Sequence, residues 1–140
     1  DIAVKIIPYL VGLLVAISML RTNVTFAAII AGMRSLFAAL GTDTRFVAGL
    51  PTALIRPLSG SAARGMMIDT MTTYGSDSFA GSLSSILQGT SDTTFYVIAV
   101  YFGAVSIKNT RYSIGAMLLA DLVGIVTAIF LAYLFFGNTA

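Results

Sequence analysis

Two short polar clusters interrupt an otherwise apolar chain. The first is Arg56-Pro57-Leu58-Ser59-Gly60-Ser61, followed by Arg64, and the second is Gly89-Thr90-Ser91-Asp92-Thr93-Thr94. An arginine fork beside hydroxyls and an open glycine backbone favours a carboxylate or phosphate. Ser59 or Ser61 can cap a helix beginning at Ala62, and Asp92 or Thr93 one beginning near Phe95. Each helix start aims unpaired N–H groups and partial positive charge at the gap before it. The chemistry on offer is therefore binding. Arg56 is the candidate anion clamp, and Ser59, Gly60, Ser61, Thr93 and Thr94 are the candidate orienting groups. Asp92 is either Arg56's partner or a coupling acid, and Arg64, Asp69 and Asp121 are further charges for coupling or pairing. The plainer alternative keeps Arg56 in a structural ion pair with Asp92 or Asp69 and makes the hydroxyls caps and interhelical bonds.

Catalysis has little to work with. The chain has no Cys and no His, which removes thiol nucleophiles, thiolate or imidazole metal sites and any Ser-His-Asp relay. Aspartates such as Asp69 and Asp92 match no acid–base spacing, and no phosphate loop or dinucleotide fingerprint is present. The expectation is a non-enzyme without cofactor or metal. Eight Lys+Arg against six acids, all Asp, leave a formal charge of +2 with no basic cluster, so nucleic acid is not an expected partner.

The elements that hold these clusters must be membrane elements. Of 140 residues, 57% are hydrophobic and only 10% charged, where a soluble domain carries about 25% charged side chains. The mean hydropathy is +0.93. So few charges cannot cover a water-facing surface, which makes the lipid bilayer the first partner.

Residues 2–20 are apolar apart from Lys5 and read as a membrane helix with Pro8 in its first turns. A signal peptide is the rival, but the run is long and no small-x-small site follows Leu20. Residues 26–40, interrupted by Arg34, rise only about 22 Å and suit a tilted helix lying partly at the interface. Residues 46–56 reach about 16 Å, half a membrane, before the Pro57–Ser61 break, and a second segment then runs to Tyr74. The pattern recurs: residues 79–88, a break over 89–94, and a resumption over 95–107. Paired half-length segments broken at Gly/Ser/Thr clusters point to re-entrant or discontinuous helices around a midplane site. After the polar corner Lys108-Asn109-Thr110-Arg111, residues 112–136 are long enough to span. That segment places Ala116, Ala120, Gly124, Ala128 and Ala132 in one stripe, which admits a closely packed helix, and Asp121 near mid-depth.

The wording of the two clusters is specific. Leu54-Ile55-Arg56-Pro57-Leu58-Ser59-Gly60-Ser61-Ala62, then Asp69 and Tyr74-Gly75-Ser76-Asp77-Ser78-Phe79, then residues 89–103, resemble the spore maturation protein B family. That family carries the nucleoside-recognition or gate domain, shared with concentrative nucleoside transporters and a bacterial ferrous-iron transporter. The family often has Glu where Asp92 stands, one methylene longer. The resemblance implies a multi-pass protein of the bacterial cytoplasmic membrane whose two broken segments face each other. It also implies assembly with a homologous gate-domain subunit, of the spore maturation protein A type, or with itself. The family's usual chain has a further N-terminal portion before the position of Asp1, and a chain opening without Met fits a portion of something longer.

The expected protein is thus all-α: a single polytopic membrane domain over residues 1–140 with two broken or re-entrant hairpins. It binds or moves a small anionic or nucleoside-like solute between them. The alternative is a structural subunit that has kept the gate fold without transport.

Overall fold

The computed structural model describes residues 2–41, 43–107 and 109–137, with the backbone alone for Ile2, Ala3, Lys5, Ile6, Tyr9, Leu10, Leu13 and Arg21. Lys108 of the expected polar corner lies outside the described residues. Among the described residues seven α-helices and one 3₁₀ turn follow in order: α1 (Ile2–Thr22), α2 (Val24–Ala39), the 3₁₀ turn (Arg45–Ala48), α3 (Leu50–Ile55), α4 (Gly60–Tyr74), α5 (Phe79–Thr90), α6 (Thr94–Ala104) and α7 (Ser113–Phe136). No strand occurs among the described residues, and the all-α expectation holds.

Each boundary has a local cause. Asn23 is extended and its Oδ1 accepts the Thr25 N–H at 2.8 Å, so a cap separates α1 from α2. Between α4 and α5 the chain turns through Gly75 at φ +94°, a conformation that favours glycine. Ser78 then caps α5: its Oγ accepts the Gly81 N–H at 3.1 Å and donates to the Gly75 carbonyl at 2.7 Å. The apolar stretch 46–56 is not one helix, as its hydropathy implied. Leu50 and Pro51 open a new helix after Gly49, because proline has no N–H to give and is tolerated only in a helix's first turn. Gly49 also lies against Leu83, whose Cδ2 would stand 2.9 Å from an added Cβ.

The core is small. Phe46, Val47, Leu50 and Ala53 from the 3₁₀ turn and α3 meet Phe79, Leu83 and Leu87 of α5, which in turn meet Ala128 and Ala132 of α7. Phe37 packs edge-on to Phe46 at 4.9 Å between centroids, and Phe79 lies 4.7 Å from Tyr133. Arg45 ties the far end of α7 to this core, donating from Nη1 to the Gly137 carbonyl at 3.2 Å with its guanidinium 5.0 Å from the Phe79 ring centre. The small-residue stripe of α7 is therefore used in part: Ala128 and Ala132 are fully buried by α5, whereas Ala116 and Ala120 are exposed.

Most large apolar side chains face outward. On α7 alone Leu119, Leu122, Val123, Val126, Phe130, Leu134 and Phe135 are exposed. In water that face would be a sticky patch far beyond what a monomer shows, and in lipid it is the expected solvent-facing surface. α7 is the one helix among the described residues long and apolar enough to cross a bilayer by itself. Its 24 residues rise about 36 Å against a hydrocarbon core of about 30 Å. The chain is an all-α membrane protein, and α3, α5 and α6 are all too short to cross alone.

The turn before α5 yields a test. A Cβ on Gly81 would stand 2.5 Å from the Gly75 carbonyl oxygen and 2.8 Å from that of Ser76, both backbone atoms that cannot swing aside. Gly81→Ala should destabilise the folded protein in detergent by about 1–3 kcal/mol. Gly32→Ala, where nothing lies within 4 Å, should be neutral or stabilising by up to about 1 kcal/mol. Thermal unfolding of both variants checks the contrast; equal effects would place the Gly81 collision in error.

Candidate functional site

The two polar clusters lie side by side at the ends of four helices. α3 gives way after Ile55 because Pro57 has no N–H to donate into the ladder, although Arg56 before it still keeps helical angles of φ −53°, ψ −48°. The Pro57 carbonyl, left without an intrahelical partner, accepts the Phe95 N–H from the other cluster at 3.3 Å. Ser59 is extended at φ −155°, ψ 115°, and its Oγ accepts the Ala62 N–H at 3.2 Å, so the expected cap is Ser59 and α4 begins at Gly60. Ser61 Oγ sits 3.2 Å from Ser59 Oγ instead of capping.

The second break is narrower than the sequence implied. Gly89 and Thr90 stay helical and only Ser91, Asp92 and Thr93 are outside helices. Neither expected cap forms there. Thr93 occupies the cap position without a side-chain bond, and Asp92 Oδ1 accepts the N–H of Thr93 at 2.8 Å, not one inside α6.

Arg56 joins the breaks. Its Nη2 donates to the Ser91 carbonyl, one of the acceptors freed where α5 ends. The structural pair with Asp92 or Asp69 is not what Arg56 makes: it satisfies a backbone carbonyl, while the Asp92 carboxylate is turned to its own neighbour. Gly60 lies close against this crossing: a Cβ there would stand 2.9 Å from Arg56 Nη1 and 3.0 Å from Thr93 Oγ1, so those side chains would have to shift. Gln88 braces the same spot, donating from Nε2 to the Gly60 carbonyl at 3.3 Å.

Around this joint opens a cavity of about 810 Å³. Arg56, Ser59, Gly60, Ser61, Arg64, Asp92 and Thr93 all line it, so most of the sequence-predicted residues are brought together. Three are not. Thr94 is buried and turned away, its Oγ1 donating to Asp121 Oδ2 of α7; Asp121 thus fixes the start of α6 and does not border the cavity. Asp69 sits mid-α4, where its carbonyl accepts the Thr73 hydroxyl at 2.9 Å, and it is absent from the cavity wall.

Residues 3–108, which contain both breaks and the whole cavity wall, match the family model described as "Nucleoside recognition", the gate domain. The chain belongs to the nucleoside-recognition (gate) family. It is 48% identical over 138 residues, 99% of this chain and 76% of the relative, to spore maturation protein B of Bacillus subtilis strain 168. No solved structure matches it.

This gate domain carries two further polar groups at the cavity: Gln88, which the reading of motifs passes over, and Tyr96, which it assigns to packing or an aromatic belt. Gln88 is the chain's single glutamine, set at the end of an apolar run, and an amide at that depth was the available signal. Among the described residues three buried side-chain atoms have no hydrogen-bond partner, Nε of Arg56, Oε1 of Gln88 and the Tyr133 hydroxyl, and the first two belong to residues of this wall. Arg56 and Gln88 bring a guanidinium and an amide to the same cavity wall, a combination that suits a solute offering both an acceptor and a donor. Among the described residues no three potential metal ligands cluster.

The geometry separates two roles for the charges. Arg56→Ala should cost about 1.5–3 kcal/mol, as expected for a charge-assisted bond, and should raise hydrogen exchange at the Phe95 amide. Asp92→Asn should cost under about 1 kcal/mol because its carboxylate is exposed. In a double-mutant cycle the Arg56–Asp92 coupling should be near zero; a coupling above about 1 kcal/mol would restore the ion pair.

Proposed function

We propose that the chain is a transporter-like integral membrane subunit that binds or moves a small solute, nucleoside-like or anionic, in the cavity between its two breaks. The observation that carries the reading is the convergence of Arg56, Arg64, Ser59, Ser61, Thr93 and Gln88 on the wall of one cavity. A nucleobase edge or a sugar hydroxyl presents acceptor and donor together, which matches guanidinium, amide and hydroxyl groups on one wall. Arg56 and Arg64 against Asp92 leave the wall with a net positive charge, which suits a phosphate or carboxylate on the same molecule. Tyr96 supplies an aromatic face. In this reading Arg56 is clamp and brace at once, Ser59, Ser61 and Thr93 orient the solute, and Gly60 allows the backbone to come close.

The reading includes a multi-pass placement in the bacterial cytoplasmic membrane, no chemical transformation of the solute, and assembly with a homologous gate-domain subunit or a second copy. The name of the 48% identical relative, spore maturation protein B, associates this architecture with spore maturation in that organism. A second reading, a structural subunit without transport, is favoured by one observation: Arg56 Nη2 and the Ser59 hydroxyl are already engaged within the protein.

Ligand-induced stabilisation decides between them. Purified protein in detergent is warmed with purine and pyrimidine nucleosides, their monophosphates and inorganic phosphate. A ligand at 100 times its dissociation constant should add about 2.7 kcal/mol. Gln88→Ala, which removes one bond to Gly60, should keep the fold and lose the shift. The absence of a shift with every compound, in protein shown to be folded, would favour the structural subunit.

A further inference from the structure

Away from the two breaks, α2 touches the core through Ile30, Met33 and Phe37 but is otherwise loosely covered. None of its residues is buried, although it faces the 3₁₀ turn and α4 across a groove of about 480 Å³. On the α2 side the groove is lined at helical spacing by Ala27, Ile30, Ala31 and Arg34, and Pro51 and Met66 stand opposite. An apolar trough of this size falls within the range of ligand pockets, about 300–1,000 Å³. In a membrane protein it is a trough for hydrocarbon.

Its polar features narrow the occupant. Arg34 is the single charged residue of α2, and among the described residues it makes no hydrogen bond or ion pair. The hydroxyls beside it are spent internally: Ser35 donates to the Ala31 carbonyl at 2.9 Å and Thr70 to the Met66 carbonyl at 2.9 Å. No carboxylate lines the groove to pair with an ammonium headgroup, and its aromatic residues, Phe26 and Tyr74, carry no charge. A guanidinium amid apolar surface needs an anion, and its fork fits a phosphate.

We infer that this groove is a lateral site for an anionic glycerophospholipid, one acyl chain lying between α2 and α4 and its phosphate on Arg34. The site is separate from the cavity at the breaks, with which it shares no lining residue. The small side chains of Ala27 and Ala31 make room for the chain, and Arg34 discriminates by charge. A lipid held there would fill the gap beside α2 that no protein side chain fills.

The test uses delipidated protein in neutral detergent, titrated with phosphatidylglycerol, with phosphatidylcholine of the same chains, and with glycerol phosphate, and read by thermal shift and native mass spectrometry. Phosphatidylglycerol should bind about tenfold more tightly than phosphatidylcholine, and glycerol phosphate should do nothing. Arg34→Gln should erase the preference at unchanged basal melting temperature. Ala31→Phe, or Ala27→Leu should the first not fold, should fill the trough and abolish binding of both lipids. Equal binding of the two lipids, a preference that survives Arg34→Gln, binding that survives the filled groove, or a shift with glycerol phosphate alone would overturn the site. So would a lipid-free dimer that protects the α2 segment around Ala31 from hydrogen exchange, since the occupant would then be a second copy.

Discussion

Backbone that leaves a helix inside hydrocarbon must find its hydrogen bonds within the protein, and here the two breaks supply them to each other. The Pro57 carbonyl takes the Phe95 N–H, and the Ser91 carbonyl takes Arg56 Nη2. Each unsatisfied group at that depth would cost several kcal/mol, about as much as a folded domain has to spare. Neither break is stable alone, so their adjacency is a condition of the fold. The remaining architecture serves that condition. α5 is pinned by the core at Leu83 and Leu87, Asp121 of α7 holds the first residue of α6 through Thr94, and Gly60 keeps open the space through which Arg56 crosses.

In the proposed function the site holds the protein together and also receives a solute, and the same economy serves both. Arg56 has several N–H donors, and one, Nη2, suffices for the crossing. Its Nε is left over, as is the carbonyl oxygen of Gln88 once the amide nitrogen has reached Gly60. A lysine could not divide its donors in this way, because its ammonium is a single point at the end of a flexible stem. A bound solute would therefore act on the joint that keeps the two broken pairs in register, and occupancy and hairpin geometry are coupled by construction.

Much of this was legible in the residues and some of it could not be. Proline at 57, serine at 59 and the polar run after Gln88 fixed the breaks to within two residues, because chain termination and capping are local physics. The identity of Arg56's partner was not local. An acid three dozen residues away looked the natural mate for a guanidinium, yet a carbonyl stranded by the end of α5 was in greater need, and which group is stranded depends on where α5 stops. Gly89 looked like a breaker and is helical, since nothing crowds it and the helix gains a further turn. Thr94 read as a cavity hydroxyl for want of knowing that Asp121, far along the chain, sits behind it.

The stripe on α7 shows how far a pattern carries. Five small residues at four-residue intervals promised a close helix contact, and α5 occupies the half at Ala128 and Ala132. Ala116 and Ala120 continue the same face beyond the reach of α5, beside an α6 whose Phe95, Tyr96, Val100 and Tyr101 are also exposed. A periodic face on a long helix is longer than any half-length partner can cover, and a gate built from broken segments leaves part of its spanning helix open by geometry. Lipid can wet such a face, but small side chains give acyl chains little to grip, while another helix gains dispersion contact along it. The end of α7 that holds the core and the end that lies open are thus one sequence feature divided by the length of α5, and the division sets which part of this subunit is available to its neighbours in the membrane.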